Sequence, residues 1–262
     1  MRTTDMNIDL TGFCAVVTGA SYGLGYAMAK ALLEKGATVA LASRPGEKLD
    51  QAVNTLVRKD LDAHALPMDV RSEESISEAV SWVRGRWKRI DFLVNNAALM
   101  MHRVYPDFLA SPKPFYEIDP DVFRDMVDTN LTGYFLVARG FVPMMMERNR
   151  GRIVNISTSL STMNRFAPYG PSRAGSEALS NIMTTELQKF GIMVNVLLPG
   201  GAVDTGGLSD DTKRDLLFKL LSPEVMADPI VFLASSLADG MTGERIIAKE
   251  FHEWLQKKGI LL

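Results

Sequence analysis

An apolar run, a glycine-rich turn and a helix-forming run follow one another near the start of this chain and constrain its fold more than any other stretch. The apolar run is 13–17, the turn reads Thr18-Gly19-Ala20-Ser21-Tyr22-Gly23-Leu24-Gly25, and the helix-forming run is 26–35. Glycines let a backbone turn sharply and let a phosphate approach the main chain. The start of the following helix offers unpaired N–H groups to an anion. The stretch therefore predicts a strand, a diphosphate-binding turn and a helix.

Apolar runs continue to alternate with helix-forming stretches along the rest of the chain. The 262 residues, of which 47% are hydrophobic, can bury a full core, and no linker divides them. This pattern predicts an α/β fold: one doubly wound, Rossmann-like domain over 1–262, with about seven parallel strands and helices on both faces. The later runs predicted as strands are 38–42, 63–68, 90–95, 151–156, 193–198 and 244–248.

The glycine spacing and several later motifs resemble those of the short-chain dehydrogenase/reductase family. The turn matches the family's TGxxxGxG pattern, and 95–98 (Asn-Asn-Ala-Ala) resembles its NNAG motif, with Ala98 in place of the final glycine. Asn130 resembles the family's helix asparagine, and Tyr169 and Arg173 stand at the positions of its Tyr-x-x-x-Lys pair. The resemblance extends over nearly the whole chain, from about residue 10 to residue 248.

The resemblance implies an oxidoreductase that transfers a hydride to or from a nicotinamide cofactor. Its substrate would be a ketone or 3-oxo group, or the corresponding secondary alcohol, with Tyr169 as the acid/base and Asn130 as support. Residues four apart on a helix share a face, so a cation at position 173 lies near the phenol and favours its ionised form. Arg173 keeps the charge of the family's lysine, but it is larger and cannot pass on a proton.

Three neighbouring hydroxyls compete for the position of the family's catalytic serine. An ungapped reading of the preceding strand places Thr158 there, with Ser157 and Ser159 on either side. The interval from Thr158 to Tyr169 is shorter than is usual in the family, so the choice among the three stays open. The departures at 158 and 173 also leave a second interpretation, in which the protein binds NADP(H) without catalysis as a sensor or a subunit.

Ser43 and Arg44 follow the predicted second strand, where NAD-dependent enzymes of this fold carry an acidic residue. Arginine can pair with a 2′-phosphate through two hydrogen bonds, whereas a carboxylate would repel it. The sequence therefore predicts NADP (NADPH) as the cofactor, with NAD less favoured; the alternative is an ordinary surface arginine at a strand end.

The family also places an Asp-Val pair beside the adenine, although Asp69 suits a helix cap equally well. The residues predicted to bind the cofactor are Gly19, Ser21, Tyr22, Gly23, Leu24, Gly25, Ser43, Arg44, Asp69, Val70, Asn96, Ala97, Ala98, Tyr169, Arg173, Pro199, Gly200, Gly201 and Val203.

Two irregular stretches, 99–118 and 205–222, are predicted to be the substrate loops. The first carries Tyr105, Phe108, Phe115 and Tyr116, which favour an apolar or ring-containing carbonyl or alcohol substrate, unless they only attach the loop to the core. The tail 249–258 is predicted to be helical, in place of the short glycine-rich end common in the family.

Composition argues against several other functions. A net charge of -2 and a pI of about 6.0 give no electrostatic footprint for nucleic acid, and no apolar run is long enough to span a membrane. The single cysteine, Cys14, and the absence of an export segment favour the cytoplasm. The three histidines are scattered, so we expect no metal.

The helices predicted at 120–148 and 171–190 are candidates for self-association. The second carries Ala174, Ala178 and Ile182 at helical spacing, and such a stripe of small residues allows close packing. The family resemblance implies a homodimer or a homotetramer. The alternative is a stripe that faces the protein's own core.

Overall fold

The apolar runs of the sequence form seven parallel strands of one sheet. The computed structural model describes residues 8–105, 108, 112–204 and 220–260. The strands are β1 (Cys14–Thr18), β2 (Thr38–Ser43), β3 (Ala63–Pro67), β4 (Phe92–Asn95), β5 (Gly151–Ile156), β6 (Ile192–Leu198) and β7 (Arg245–Ile247). Their order across the sheet is β3-β2-β1-β4-β5-β6-β7. The predicted doubly wound fold is confirmed.

Helices connect the strands and cover both faces of the sheet. Those of the described residues are α1 (Gly23–Leu33), α2 (Glu47–Val57), α3 (Glu73–Trp87), α4 (Pro120–Val127), α5 (Gly133–Met146), α6 (Leu160–Met163), α7 (Tyr169–Leu187), α8 (Ala227–Ala234) and α9 (Phe251–Lys257). The helix α9 lies within the tail 249–258 that is predicted to be helical. None of these helices is long and apolar enough to cross a membrane.

Strand β1 shows why the central runs are apolar throughout. Ala15 and Val17 point into one core cluster, which includes residues of α1, α2, α8 and α9. Val16 points into the other cluster, which includes residues of α3, α5 and α7. Side chains alternate between the two faces of a strand, so a strand buried on both faces needs apolar residues at consecutive positions.

The strand order places a ligand crevice next to β1. The chain leaves β1 towards β2 on one side, and β4 pairs with β1 on the other. Helices on opposite faces therefore separate at the carboxyl ends of β1 and β4. In open α/β sheets, ligands bind at such a reversal of strand order.

The predicted helix at 120–148 is interrupted by a π-helical turn. Asp119 caps α4 by accepting from the N–H of Asp121, as its position before Pro120 predicts. A π-helical turn, Asp128–Thr132, then separates α4 from α5. Such turns are rare and occur mostly at functional sites. This one contains Asn130.

The outer face of α7 decides between the two interpretations of its small-residue stripe. Ala174 and Ala178 are exposed, and Ile182 is 54% exposed. The stripe therefore faces outward, and the core-facing alternative is wrong.

Candidate active site

The glycine turn between β1 and α1 leaves no room for side chains. Gly19 has a positive φ of +63°, and a Cβ there would lie 2.7 Å from the Cα of Ala97. A Cβ on Gly25 would overlap the carbonyl oxygen of Gly19. Tyr22, the residue before α1, makes no side-chain cap, so the first N–H groups of α1 remain available to an anion.

Two asparagines tie the end of β4 to both neighbouring strands. Asn95 donates from Nδ2 to Oδ1 of Asn155 on β5, at 2.9 Å. Asn96 donates from Nδ2 to the carbonyls of Thr18 and Gly19, at 2.9 and 3.2 Å. The paired amides therefore bridge β4 to both of its neighbours in the sheet. This bridging fixes the glycine turn against Ala97 and Ala98, which follow β4.

The ends of β2 and β3 form the side of the crevice predicted to hold the adenosine. The hydroxyls of Ser21 and Ser43 lie 3.2 Å apart, which joins the glycine turn to the end of β2. Arg44 is exposed, and within the described ranges its guanidinium makes no hydrogen bond or ion pair. An exposed arginine that follows Ser43 at the end of β2 suits a phosphate group.

Asp69 is paired with Arg71 and does not cap α3. Its carboxylate accepts from Nε and Nη2 of Arg71, at 3.2 and 3.0 Å, and these bonds lower the pKa of Asp69. Ser72 caps α3 instead, by accepting from the N–H of Ser75. The cap alternative for Asp69 is therefore wrong. Val70, the next predicted contact, is buried against Gly133 at the start of α5.

Tyr169 is the first residue of α7 and is only 6% exposed. It belongs to an apolar cluster with Met101, Met126 and Phe166, which we call the loop cluster. Phe108 joins this cluster by packing edge-on against Phe166, with ring centres 5.5 Å apart. The predicted substrate loop at 99–118 is thus attached to the wall that surrounds Tyr169.

Arg173 lies one helical turn after Tyr169 and is 3% exposed. Its guanidinium carbon lies 5.2 Å from the ring centre of Tyr169 and 5.6 Å from that of Tyr134. Its Nη1 donates to the Tyr134 hydroxyl at 2.7 Å and to the carbonyl of Ile156 at 2.8 Å. Burial lowers the pKa of Arg173, but the neighbouring phenols outweigh that effect and hold the pKa above its ordinary value. The residue is therefore a permanent cation.

Asn130, in the π-helical turn, connects the start of the predicted substrate loop with α7. Its Oδ1 accepts from the N–H of Leu99 at 2.8 Å, and its Nδ2 donates to the carbonyl of Leu99 and to the Ser172 hydroxyl. Ser172 in turn donates to the carbonyl of Tyr169 at 2.8 Å. The side chain of Asn130 therefore supports both sides of the site.

The structure separates the three candidate hydroxyls after β5. Ser157 is buried and donates to the Glu177 carboxylate at 2.5 Å. Ser159 caps α6 by accepting from the N–H of Thr162. Thr158 is half-buried, and its hydroxyl makes no hydrogen bond to any described residue. Of the three, only the hydroxyl of Thr158 is left for a substrate.

An ion pair holds the main chain at Thr158. Nε of Arg245, on β7, donates to both carboxylate oxygens of Glu177, at 3.1 and 3.0 Å. Nη2 of Arg245 donates to the carbonyl of Thr158 at 2.8 Å. Glu177 and Arg245 thus connect α7 and β7 with the segment that carries the candidate carbonyl anchor.

The segment after β6 carries the last of the residues predicted to bind the cofactor. Pro199 accepts from the N–H of Lys249 at 3.1 Å, and Gly200 has a positive φ of +89°. Gly201 follows, and Val203 forms a parallel bridge with Leu221. Most of the predicted second substrate loop, 205–219, lies outside the described residues.

Within the described part of the chain, no three His, Cys, Asp or Glu side chains are grouped as metal ligands.

Sequence reasoning missed six residues of this site, namely Met126, Tyr134, Phe166, Ser172, Glu177 and Arg245. Spacing offered a signal for two of them, because Tyr134 lies four residues after Asn130 and Glu177 four residues after Arg173. Arg245 reaches the site only through the pairing of β6 with β7, which local spacing does not reveal.

A model of the short-chain dehydrogenase family matches residues 14–215. The chain therefore belongs to the short-chain dehydrogenase/reductase family and is an oxidoreductase of that family. Its resemblance to the family, predicted from the ordered motifs, is confirmed.

Individual relatives agree with this assignment along nearly their whole length. The 3-oxoacyl-(acyl-carrier-protein) reductase FabG of Aquifex aeolicus is 31% identical over 251 residues, which cover 92% of this chain and 97% of the relative. The crystal structure of a candidate gluconate dehydrogenase from Agrobacterium tumefaciens has a TM-score of 0.81 and 29% identity, covering 93% of this chain and 97% of that one. A variant of actinorhodin polyketide ketoreductase with NADPH has a TM-score of 0.78 and 27% identity, covering 90% and 95%.

Proposed function

We propose that this oxidoreductase uses NADP(H) to reduce a ketone or 3-oxo group, or to oxidise the corresponding secondary alcohol, with Tyr169 as the acid/base. The observation that carries the proposal is the buried cation of Arg173 beneath the Tyr169 ring, at 5.2 Å from its centre. A fixed positive charge favours the phenolate and so lets the phenol release a proton to a developing alkoxide. Two relatives with names that specify keto reduction support the same reaction.

The crevice fits a dinucleotide. The close approach of Gly19 to Ala97 leaves backbone for a diphosphate to contact, and the uncapped start of α1 supplies N–H donors. Arg44, together with Ser43, would pair with a 2′-phosphate, which makes NADP the preferred cofactor. The nicotinamide end would lie against Pro199 to Val203 and the ribose near Tyr169 and Arg173. When bound, the reduced cofactor supplies the hydride.

The chain's own residues perform the proton chemistry. The Thr158 hydroxyl donates a hydrogen bond to the substrate oxygen and so orients the carbonyl. Tyr169 then gives its proton to that oxygen as negative charge develops on it, and Arg173 stabilises the phenolate that remains. Asn130 acts through Ser172, which fixes the first turn of α7 and with it the position of Tyr169.

The loop cluster supports a proposal about the class of substrate. Met101, Met126 and Phe166 surround the Tyr169 ring, and Phe108 closes the cluster from the loop side. These side chains stabilise apolar groups by excluding water and offer no hydrogen bonds to hydroxyls. We therefore propose a carbonyl substrate whose neighbouring part is apolar or ring-containing.

A screen of carbonyl compounds with NADPH tests the proposed function. The panel should pair cyclic and long-chain ketones with polyhydroxy ketones of similar size, and cofactor oxidation is the readout. We expect turnover of the apolar members. Turnover of the polyhydroxy members alone would contradict the substrate class, and turnover of none would contradict the reaction.

The exposed face of α7 supports self-association. Ala174, Ala178 and Ile182 form an outward-facing stripe, and Phe135 on α5 is 46% exposed. Apolar side chains on two helices of one subunit favour burial against a second subunit. We propose a homodimer or homotetramer built through these helices.

A further inference from the structure

Arg173 is a buried cation whose hydrogen-bond acceptors are both uncharged. Its two bonds from Nη1 go to a phenol and to a main-chain carbonyl, and Nε has no partner. Within the described ranges, no carboxylate pairs with it. Burial of a cation without a counter-ion is unfavourable, so the groups that hold it here compensate for lost water.

The Tyr134 hydroxyl accepts a hydrogen bond from Nη1 of this guanidinium at 2.7 Å. It is 1% exposed, and its hydroxyl also donates to the Ile156 carbonyl at 3.1 Å. The hydroxyl, Nη1 and this carbonyl are thus joined by three hydrogen bonds. The guanidinium carbon lies between two aromatic rings, 5.6 Å from the centre of Tyr134 and 5.2 Å from that of Tyr169.

The buried phenol holds the arginine without cancelling its charge. Burial raises the pKa of Tyr134, so its hydroxyl stays protonated and neutral. A carboxylate in the same place would form an ion pair and neutralise the cation. The positive charge of Arg173 is therefore fully available to Tyr169 on its other side.

We propose that Tyr134 is a positioning residue, whose hydroxyl, together with the Ile156 carbonyl, holds Arg173 beneath the ring of Tyr169. The proposal rests on the proposed function. A long side chain that ends in a broad fork can adopt many positions, and a fixed Nη1 selects one of them. This contact is a second link to α7. Asn130, in the π-helical turn, bonds Ser172 of α7, and Tyr134, four residues later in α5, bonds Arg173 of α7.

A double-mutant cycle with Tyr134→Phe and Arg173→Lys tests this role. Tyr134→Phe removes one oxygen, and we expect kcat to fall about tenfold or more because a hydrogen bond to a charged group is lost. The dissociation constant for NADPH should change little. Arg173→Lys alone should raise kcat, because lysine fits the family's arrangement and can pass on a proton. In the Arg173→Lys background, Tyr134→Phe should change kcat little, because the lysine ammonium lacks the Nη1 atom that the Tyr134 hydroxyl holds.

The controls separate positioning from general damage. Tyr26→Phe, in α1, removes a partly buried hydroxyl elsewhere and should leave kcat unchanged. The double variant has neither the Tyr134 hydroxyl nor the guanidinium, so its comparison with Arg173→Lys remains informative even where Tyr134→Phe alone is unstable. Equal losses of kcat in both backgrounds, or no loss in either, would overturn the positioning role. If the wild type turns over no carbonyl compound, the proposed function fails and this role fails with it, whereas a failed cycle in an active enzyme overturns only this role.

Discussion

The guanidinium carbon of Arg173 lies 5.2 Å from the ring centre of Tyr169, and both side chains are buried. At about 5 Å and an effective dielectric constant near 20, a cation stabilises an adjacent anion by about 3 kcal/mol. Arginine can therefore supply the electrostatic effect of the family's lysine. It cannot replace lysine in a proton relay, because it stays protonated.

The first prediction concerns the carbonyl anchor. Thr158→Val keeps the branched shape and removes the hydroxyl, and we expect kcat/KM to fall about a hundredfold because a donor to the developing oxyanion is lost. Ser159→Ala removes the cap of α6 instead and should lower the free energy of unfolding by about 1 kcal/mol, with kcat preserved. Steady-state kinetics and denaturant unfolding of both variants measure this. The reverse pattern would assign the anchor to Ser159.

The second prediction concerns the ion pair behind Thr158. Glu177→Gln removes the charge that holds Arg245, so the Thr158 carbonyl loses a well-placed donor. We expect kcat to fall about tenfold, since a displacement of less than an ångström at a reacting group is costly. Glu186→Gln, an exposed change on the same helix, is the matched control. Equal kcat in the two variants would show that the ion pair has no part in catalysis.

The third prediction concerns the choice of cofactor. Wild type should bind NADP about tenfold to a hundredfold more tightly than NAD, because Arg44 pairs with the 2′-phosphate. Arg44→Ala should remove most of this preference without weakening NAD binding. Arg58→Ala, an exposed change at the end of α2, serves as the control. Calorimetric titration of both cofactors decides the matter, and equal or tighter binding of NAD by the wild type would disprove the role of Arg44.

The fourth prediction concerns assembly. Light scattering at micromolar concentration should show a dimer or tetramer, and Ile182→Lys should reduce its mass by placing a charge on the exposed face of α7. Leu237→Lys changes a residue of similar exposure elsewhere, 48% against 54%, and should have no effect. A monomeric wild type would reject self-association.

Local patterns predicted most of the fold, because central strands such as β1 and β4 are apolar runs that are buried throughout. The run 151–156 became β5 without a change of bounds, and the glycine turn led into α1 as its spacing indicates. The π-helical turn at Asp128–Thr132 was not predicted, because apolar spacing does not distinguish a widened turn from a continuous α-helix.

The site was predictable where a residue acts through its own motif. Gly19, Asn96 and Tyr169 were recognised from spacing, and the structure brings them to one edge of the sheet. Tyr134 was not predicted, because a tyrosine in an apolar helix has the pattern of an ordinary core residue. Its hydroxyl accepts a hydrogen bond from Arg173 only in the folded chain, where the start of α5 comes next to α7 and Arg173 points into the interior.

Tyr169→Phe provides the most direct test of the central claim. The variant keeps the ring in the loop cluster and loses only the hydroxyl group, which carries the proton assigned to catalysis. With NADPH and the best carbonyl substrate of the wild type, we predict that turnover is abolished while the dissociation constant for NADPH stays close to that of the wild type. Turnover in Tyr169→Phe equal to that of the wild type would contradict the account, because the acid/base would then be another residue.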